Sequence, residues 1–343
     1  MKVLQGLPAV PADWPASAVT IGKFDGVHAG HRAVIAALER LAAPDGLRTV
    51  VVTFDRHPLA LLAPERCPKA LVSTDQKLDL LAETGVDATL VLEFSHELAS
   101  LEPEDFVRTV LLDALNARHV LVGRDFRFGH HGAGDVTLLR ELGIRFGFAV
   151  DLIEDVKPDD SRRVSSTWIR ELLATGDVHA AARLLGHLPT MRGIVVHGAA
   201  RGRELGFPTA NLAPDAEGLT PADGVYAGWL TDAGIRYPAA ISVGKNPTFE
   251  GVLQTQVEAF VLDEDIDLYG HSIDVAFVEY VRGMVAYAGI DLLIAQIRDD
   301  VARVREILAW PDGIGHGDVG HGDVGHGRAG RGAVESASQR PGA

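Results

Sequence analysis

The chain has 343 residues, with 32 Lys and Arg against 47 Asp and Glu, a formal charge of −15. Its 47% apolar and 23% charged residues exclude wholesale disorder and fibrous repeats, and about 150 residues per domain gives roughly 2.3 domains. The acidic balance argues against a surface that tracks nucleic-acid phosphates, although local dipoles, imidazoles and a divalent cation can still hold a small anion.

Residues 1–14 contain Lys2 but no apolar core of a secretory signal, and no run of about 18 apolar residues follows to span a membrane. From residue 17 to 186, short apolar runs alternate with amphipathic stretches. Strands are predicted at 18–21, 49–54, 88–94, 119–123 and 148–153, and helices at 31–43, 75–83, 103–115 and 136–142. This alternation implies βαβ units, a parallel sheet and a ligand beyond the carboxyl ends of the strands. Cys67 is the single cysteine, so no intramolecular disulfide forms, which fits a reducing cytoplasm. Ser165 or Ser166 caps a helix over 167–173, and Asp177 caps one over 178–185 that Gly186 closes.

Past Pro189 the rhythm changes. Strands at 191–197, 224–230, 237–243, 256–262 and 272–281 follow without intervening helices, which predicts a compact antiparallel barrel. A helix over 291–308 comes next, with Leu292, Leu293, Ile297, Val301, Val304 and Leu308 assigned to one face. From 311 the chain becomes a low-complexity tail with Gly-His-Gly-Asp-Val at 315–319 and again at 320–324. His316, His321 and His326 could bind a metal transiently, but such a tail buries too little apolar surface to order itself. The expected organisation is therefore 1–187, 188–310 and the tail 311–343. The expected class is a cytoplasmic enzyme with small-molecule substrates, its oligomeric state left open.

Four segments carry chemistry. In Thr20 to His31, between a strand and a helix, Gly22, Gly26 and Gly30 let backbone approach a ligand, with Phe24 among them. His28 and His31 can face the same side there, so a polyphosphate would meet helix N–H groups and two imidazoles; otherwise they are two exposed histidines at a turn. Ser165, Ser166, Thr167 and Arg170 suit an anion above the same place, or form an ordinary helix cap with a surface arginine. Asp125, Phe126 and Phe128 end a strand, where the rings either stack a planar ligand or belong to the core. Finally, Gly202 and Gly206 belong to a glycine loop running into Thr209 and Asn211, whose hard oxygens suit Mg²⁺ with phosphates, or else form a structural turn. Strand alternation sets Glu258 opposite Val257 and Ala259, where it is a base in a barrel mouth or an idle solvent-facing carboxylate.

Taken in order over roughly residues 17–309, these segments resemble the prokaryotic bifunctional riboflavin kinase/FMN adenylyltransferases, usually called FAD synthetases. The resemblance also takes in residues 53–58, Gly134-Asp135, residues 221–226, 246–249 and 267–270. It implies a Rossmann-like nucleotidylyltransferase domain followed by a small β-barrel flavokinase domain with a C-terminal helix. It further implies phosphorylation of riboflavin to FMN and adenylylation of FMN to FAD, with ATP as donor and Mg²⁺ as cofactor. Thr209 and Asn211 would sit with Mg²⁺ and Glu258 would take the hydroxyl proton. His28, His31, Ser166, Thr167 and Arg170 would stabilise phosphate charge, with Gly22, Phe24, Gly26, Gly30, Ser165, Gly202 and Gly206 around the nucleotide. Asp125, Phe126, Phe128 and Arg282 would face the flavin. Two departures from the family pattern are Lys23, where asparagine is common, and the segment 282–291, altered at Val285, Tyr287 and Gly289. The latter motivates a one-activity FMN adenylyltransferase as the alternative reading, and a non-catalytic flavin-binding regulator is the other.

Overall fold

The computed structural model describes residues 1–154, 156–157, 162–198, 205–245 and 255–309. The first unit is an all-parallel six-stranded sheet of β1 (Lys2–Gln5), β2 (Ser17–Ile21), β3 (Arg48–Phe54), β4 (Ala88–Leu92), β5 (Ala117–Gly123) and β6 (Ala149–Ile153), ordered β1-β4-β3-β2-β5-β6. Helices cover both faces, so β2 and β4 are buried at every position, Ser17, Thr20 and Thr89 included. The chain leaves β2 toward β3 on one side and returns to β5 on the other. The crevice at the carboxyl ends of β2 and β5 is therefore the topological switch point, where open α/β sheets bind ligands.

The sequence reading misses β1. Its four residues bury only Leu4 and pair at the sheet edge, Lys2 opposite Ala88, too short a run to display a period. Helix α1 (Ala29–Ala42) starts at the N-cap His28 and α2 (Pro58–Leu62) at the N-cap His57. Helix α3 (Thr74–Ala82) opens on a capping box between Ser73 and Gln76. After α4 (His96–Ser100), the segment predicted as one helix over 103–115 begins as α5 (Pro103–Phe106) and continues as a π-helix over Val107–Ala114. Helix α6 (Val136–Phe146) leads to β6.

Ser165, rather than Ser166, caps α7 (Ser166–Ala174), accepting from the Trp168 amide, and Asp177 caps α8 (Val178–Leu185), with Gly186 left-handed at its end. These two helices join the sheet unit to a closed antiparallel barrel of β7 (Thr190–Val196), β8 (Ala210–Leu212), β9 (Gly224–Asp232), β10 (Ile235–Lys245), β11 (Thr255–Val261) and β12 (Ser272–Arg282). The barrel has six strands where five are expected, because β8 spans three residues inside a segment that reads as a turn. One buried cluster runs from Ile169, Leu173, Val178 and Leu185 of α7 and α8 to Met191, Tyr226, Ile241 and Phe277 of the barrel. The Ala222 amide donates to Leu173, Leu219 to Leu71, and the Gln76 side chain to Thr190, so backbone hydrogen bonding also crosses the junction.

Helix α9 (Ile290–Ala309) lies on the outer wall of the barrel, where Val301 and Val304 pack with Ala227 and Leu262. Leu292, expected on that face, is exposed: it precedes Val301 by nine residues, half a revolution off the buried stripe at about 100° per residue. Among the described residues, no helix is long and apolar enough to cross a membrane.

The tightest backbone approach in the barrel is at Gly228 of β9, where an added Cβ would lie 2.2 Å from the Ala276 carbonyl oxygen and 2.3 Å from Ile241. Gly228→Ala should therefore lower unfolding free energy by about 2 kcal/mol or more. Gly289→Ala, whose Cβ would meet nothing within 4 Å, should be near neutral. Denaturant midpoints of the two variants against the parent chain check this.

Candidate active sites

Three of the sequence segments meet at the switch point. After β2 the backbone takes positive φ at Phe24, Gly26 and Val27 before entering α1. Gly26, at φ 80, is fixed by protein packing, because a Cβ there would come within 2.8 Å of Leu71. Asp25 organises the loop. Its carboxylate accepts from the Leu71 amide at 2.8 Å and pairs with Arg170, and its backbone carbonyl accepts from the Ser166 hydroxyl at 2.9 Å. Arg170 also donates from Nε to the Lys69 carbonyl at 2.7 Å, so it acts as a strut between α7 and the loop. Thr167 is exposed. Asp25 lies inside the sequence motif, yet nothing in the pattern marks it as the hub.

His28 is 6% exposed and stacks on His31 with ring centroids 3.7 Å apart. Its Nδ1 accepts from the His31 amide at 3.3 Å, which leaves Nε2 to carry the proton of the neutral ring. Burial is the main cause that pushes the His28 pKa down to about 4, and it holds His31 well below the ordinary imidazole range. Both rings are therefore neutral at pH 7 and act as hydrogen-bonding groups rather than cations. Packed between loop and helix, they are not the exposed turn pair that the motif alone allows. The Nδ1 of His31 is buried without a hydrogen-bond partner among the described residues. At Gly30 a Cβ would lie 3.1 Å from the His28 ring, and at Gly22 one would lie 3.0 Å from Phe24.

The third segment reaches the same crevice through Asp125, whose carboxylate pairs with Arg163 at 2.8 Å just before α7. Phe126 stacks on Phe128, but Phe128 is 6% exposed and packs in the sheet core beside Phe106. Of the two readings for that ring, the geometry is that of a core residue; Phe126 is half-buried. Residues given no role from the sequence also converge here. Arg163 connects two segments, the half-buried His57 caps α2 through the Leu59 amide, and Lys77 of α3 reaches the end of β3. Lys77 has no sequence signal, since a lysine on an amphipathic helix reads as solvated.

The second site lies on the barrel. On β11, Val257, Ala259 and Val261 are buried while Glu258 and Phe260 alternate away from them. Glu258 is opposite Asn211 of β8, so the two side chains share a face. That face is the outer wall beneath α9 rather than a barrel mouth. Asn211 donates from Nδ2 to the Thr209 hydroxyl at 3.2 Å, and the Thr209 hydroxyl donates to Glu258 at 3.3 Å. Gly198 stands against this cluster, where a Cβ would fall 2.5 Å from the Asn211 amide oxygen.

The cluster opens onto a cavity of about 260 Å³, whose lining includes Leu205, Phe207, Ser242, Tyr287 and Ile297. Arg282 borders it and forms a two-pronged pair with the buried Asp300, at 2.8 and 2.5 Å, which anchors the chain entering the 283–289 segment to α9. Gly206 turns with φ 83 beside the cavity, whereas Gly202, the 246–249 motif and the histidines of the tail lie outside the described residues.

The geometry thus presents a stacked pair of neutral imidazoles at a helix start by the switch point and, separately, a carboxylate–hydroxyl–amide cluster beside a mostly apolar hollow. Comparison with known proteins gives both a family. Residues 10–168 match the FAD synthetase family model and residues 185–308 the riboflavin kinase model. A bifunctional riboflavin kinase/FMN adenylyltransferase of Escherichia coli (strain K12) is 37% identical over 308 residues, 89% of this chain and 97% of the relative. One from Bacillus subtilis (strain 168) is 33% identical over 288 residues, 83% of this chain and 90% of the relative. A crystal structure from Streptococcus pneumoniae, described as a macrolide-efflux protein, superposes with a TM-score of 0.80 at 31% identity, over 89% of this chain and 99% of that one. The riboflavin kinase match runs through 285–289 to residue 308, and neither alternative reading gains support. With identity above 30% across nearly the whole length of such relatives, the chain belongs to the bifunctional riboflavin kinase/FMN adenylyltransferase family.

Proposed function

We propose that the barrel phosphorylates riboflavin with ATP and that the sheet unit then adenylylates the FMN so formed, the two units meeting near residues 187–190. The observation that carries this reading is the hydrogen-bonded cluster of Thr209, Asn211 and Glu258 opening onto a largely apolar cavity. It sets a proton acceptor and hard oxygen donors beside a hollow that suits a planar ring. Small-molecule substrates and a cytoplasmic setting belong to the same reading.

In the barrel, Glu258 accepts the proton of the terminal ribityl hydroxyl as its oxygen attacks the γ-phosphorus of ATP and ADP leaves. Leu205, Phe207 and Tyr287 exclude water from the ring, and the Arg282–Asp300 pair holds the chain leading to Tyr287 in place. Thr209 and Asn211 fit a Mg²⁺ ion, because a hydroxyl and an amide oxygen are hard ligands that leave positions for phosphate and water, and Gly198 keeps that space clear. Bound there, the ion would supply charge neutralisation on the phosphates.

In the sheet unit, a phosphate oxygen of FMN attacks the α-phosphorus of ATP and pyrophosphate leaves. His28 and His31 donate hydrogen bonds to the phosphates from neutral rings, and the first amides of α1 add theirs with the helix dipole. Ser165 and Ser166 fix the start of α7, Thr167 is exposed there, and Arg170 holds the loop through Asp25. Asp125 and Phe126 border the flavin side of the crevice.

A time course of the full chain with riboflavin, ATP and Mg²⁺ should show FMN rising before FAD; absence of FMN would remove the kinase half. Asn211→Ala should abolish FMN formation while leaving conversion of added FMN to FAD within twofold. His28→Asn should slow FAD formation by about 10²-fold, the loss expected when a transition-state donor goes. With the His28 pKa depressed to about 4, the ring is neutral through the physiological range, and the proton it would gain on acidification is taken up only near pH 4. The kcat/KM for ATP in FAD formation should accordingly show no acid limb near pH 6.5, a pH profile at saturating FMN being the check.

A further inference from the structure

We propose that Lys77 is a positioning residue for adenylyl transfer, fixing the carboxyl end of β3 and setting the charge beneath the glycine loop. This rests on the assignment of adenylyl transfer to the switch-point site.

The case begins with what Lys77 costs. It is 8% exposed, whereas lysine is almost never buried unless paired, and it lies in the first turn of α3, where the helix dipole disfavours a cation. An apolar residue would satisfy the fold at lower cost. The ammonium is instead directed at one place. Nζ donates at 2.7 Å to the carbonyl of Phe54, the last residue of β3, next to the strand that carries the glycine loop. One residue earlier, the Thr53 hydroxyl donates to the Lys23 carbonyl of that loop at 3.1 Å, so the height of the β3 end sets the height of the loop.

The charges around Lys77 fit the same role. Asp25 of the loop and Asp55 after β3 face it, and His31 of α1 feels its field. Asp25 and Asp55 are each paired with an arginine, Arg170 and Arg56, and the Lys77 ammonium completes that balance beneath the loop without contacting the substrate. Burial lowers the Lys77 pKa below the ordinary lysine range, and Asp25 and Asp55 pull it partly back.

Helix α3 is also held from behind. The Gln76 side chain donates to the Thr190 carbonyl of β7 at 3.2 Å, and Asp79 pairs with Arg192 at 2.8 Å, which in turn grips Asp274 of β12. Thr74 donates to the Asp55 carbonyl at 2.9 Å. The barrel therefore clamps one side of the helix while Lys77 reaches the adenylyl site from the other, a fixed mount for a residue whose work is placement.

The test uses the full chain, with riboflavin phosphorylation by the same preparation reporting an intact fold. Lys77→Met should lower kcat for FMN-to-FAD conversion about tenfold or more, change the KM for ATP less than threefold, and leave riboflavin phosphorylation within twofold. Lys77→Arg keeps the charge and should recover the rate to within threefold of the parent. As pH rises, the parent should lose adenylyl transfer when the buried ammonium deprotonates, whereas Lys77→Arg, which stays charged, should remain flat over the same range. Adenylyl transfer by Lys77→Met within twofold of the parent overturns the proposal. So does Lys77→Arg as slow as Lys77→Met, or an alkaline limb identical in the parent and Lys77→Arg. Should Lys77→Met fail to fold, the alkaline limb of Lys77→Arg decides. A parent chain that makes no FAD overturns the underlying assignment instead.

Discussion

The contacts of Asp25 hold the molecule's first site to the rest of the fold. The residue stands in a loop of strained backbone, and its three anchors come from distant parts of the chain: the Leu71 amide, the Ser166 hydroxyl and the Arg170 guanidinium. The Asp25 and Arg170 side chains are only 14% and 18% exposed, so removing either leaves a largely desolvated charge, a loss of about 3–5 kcal/mol for such pairs. Because Arg170 and Ser166 belong to α7, and α7 shares its buried cluster with the barrel, the loop's position is fixed through a helix packed on the other unit. The two sites are thus built on one continuous scaffold, although nothing in the chemistry of either demands it.

They handle charge by different means. At the switch point two imidazoles kept neutral by burial lie at a helix start, beside carboxylates paired with arginines. On the barrel, a carboxylate is kept beside a hydroxyl and an amide on the outer wall, and shelter comes from α9 and the 283–289 segment rather than from the barrel interior. The net charge of −15 is compatible with both, since each site sets its own local field.

Much of this was legible along the chain. The change from alternating strands and helices to strands alone distinguishes the two architectures, and the glycine-rich segments locate the strand ends because positive φ and close approach demand glycine there. Glu258 was placed on the correct side of its strand by alternation. What could not be read is what lies on that side: whether alternate residues face a barrel lumen or a covering helix is set by where α9 docks. Strands as short as β1 and β8 show no period, and the choice between core and ligand for Phe128 depends on Phe106, Pro103 and Gly134 arriving from elsewhere.

Most element types, the order of the motifs and the chemistry available at each were written in the chain itself, because caps, periodicity and glycine placement are local properties; β1, β8 and the π-helix were not. Which of those groups share a site was settled by folding. Asp25 with Arg170, His28 on a ring it shields from water, and Lys77 under the end of β3 are pairings across loops and helices, and their energies arise from burial and distance, which exist only once the chain has closed on itself.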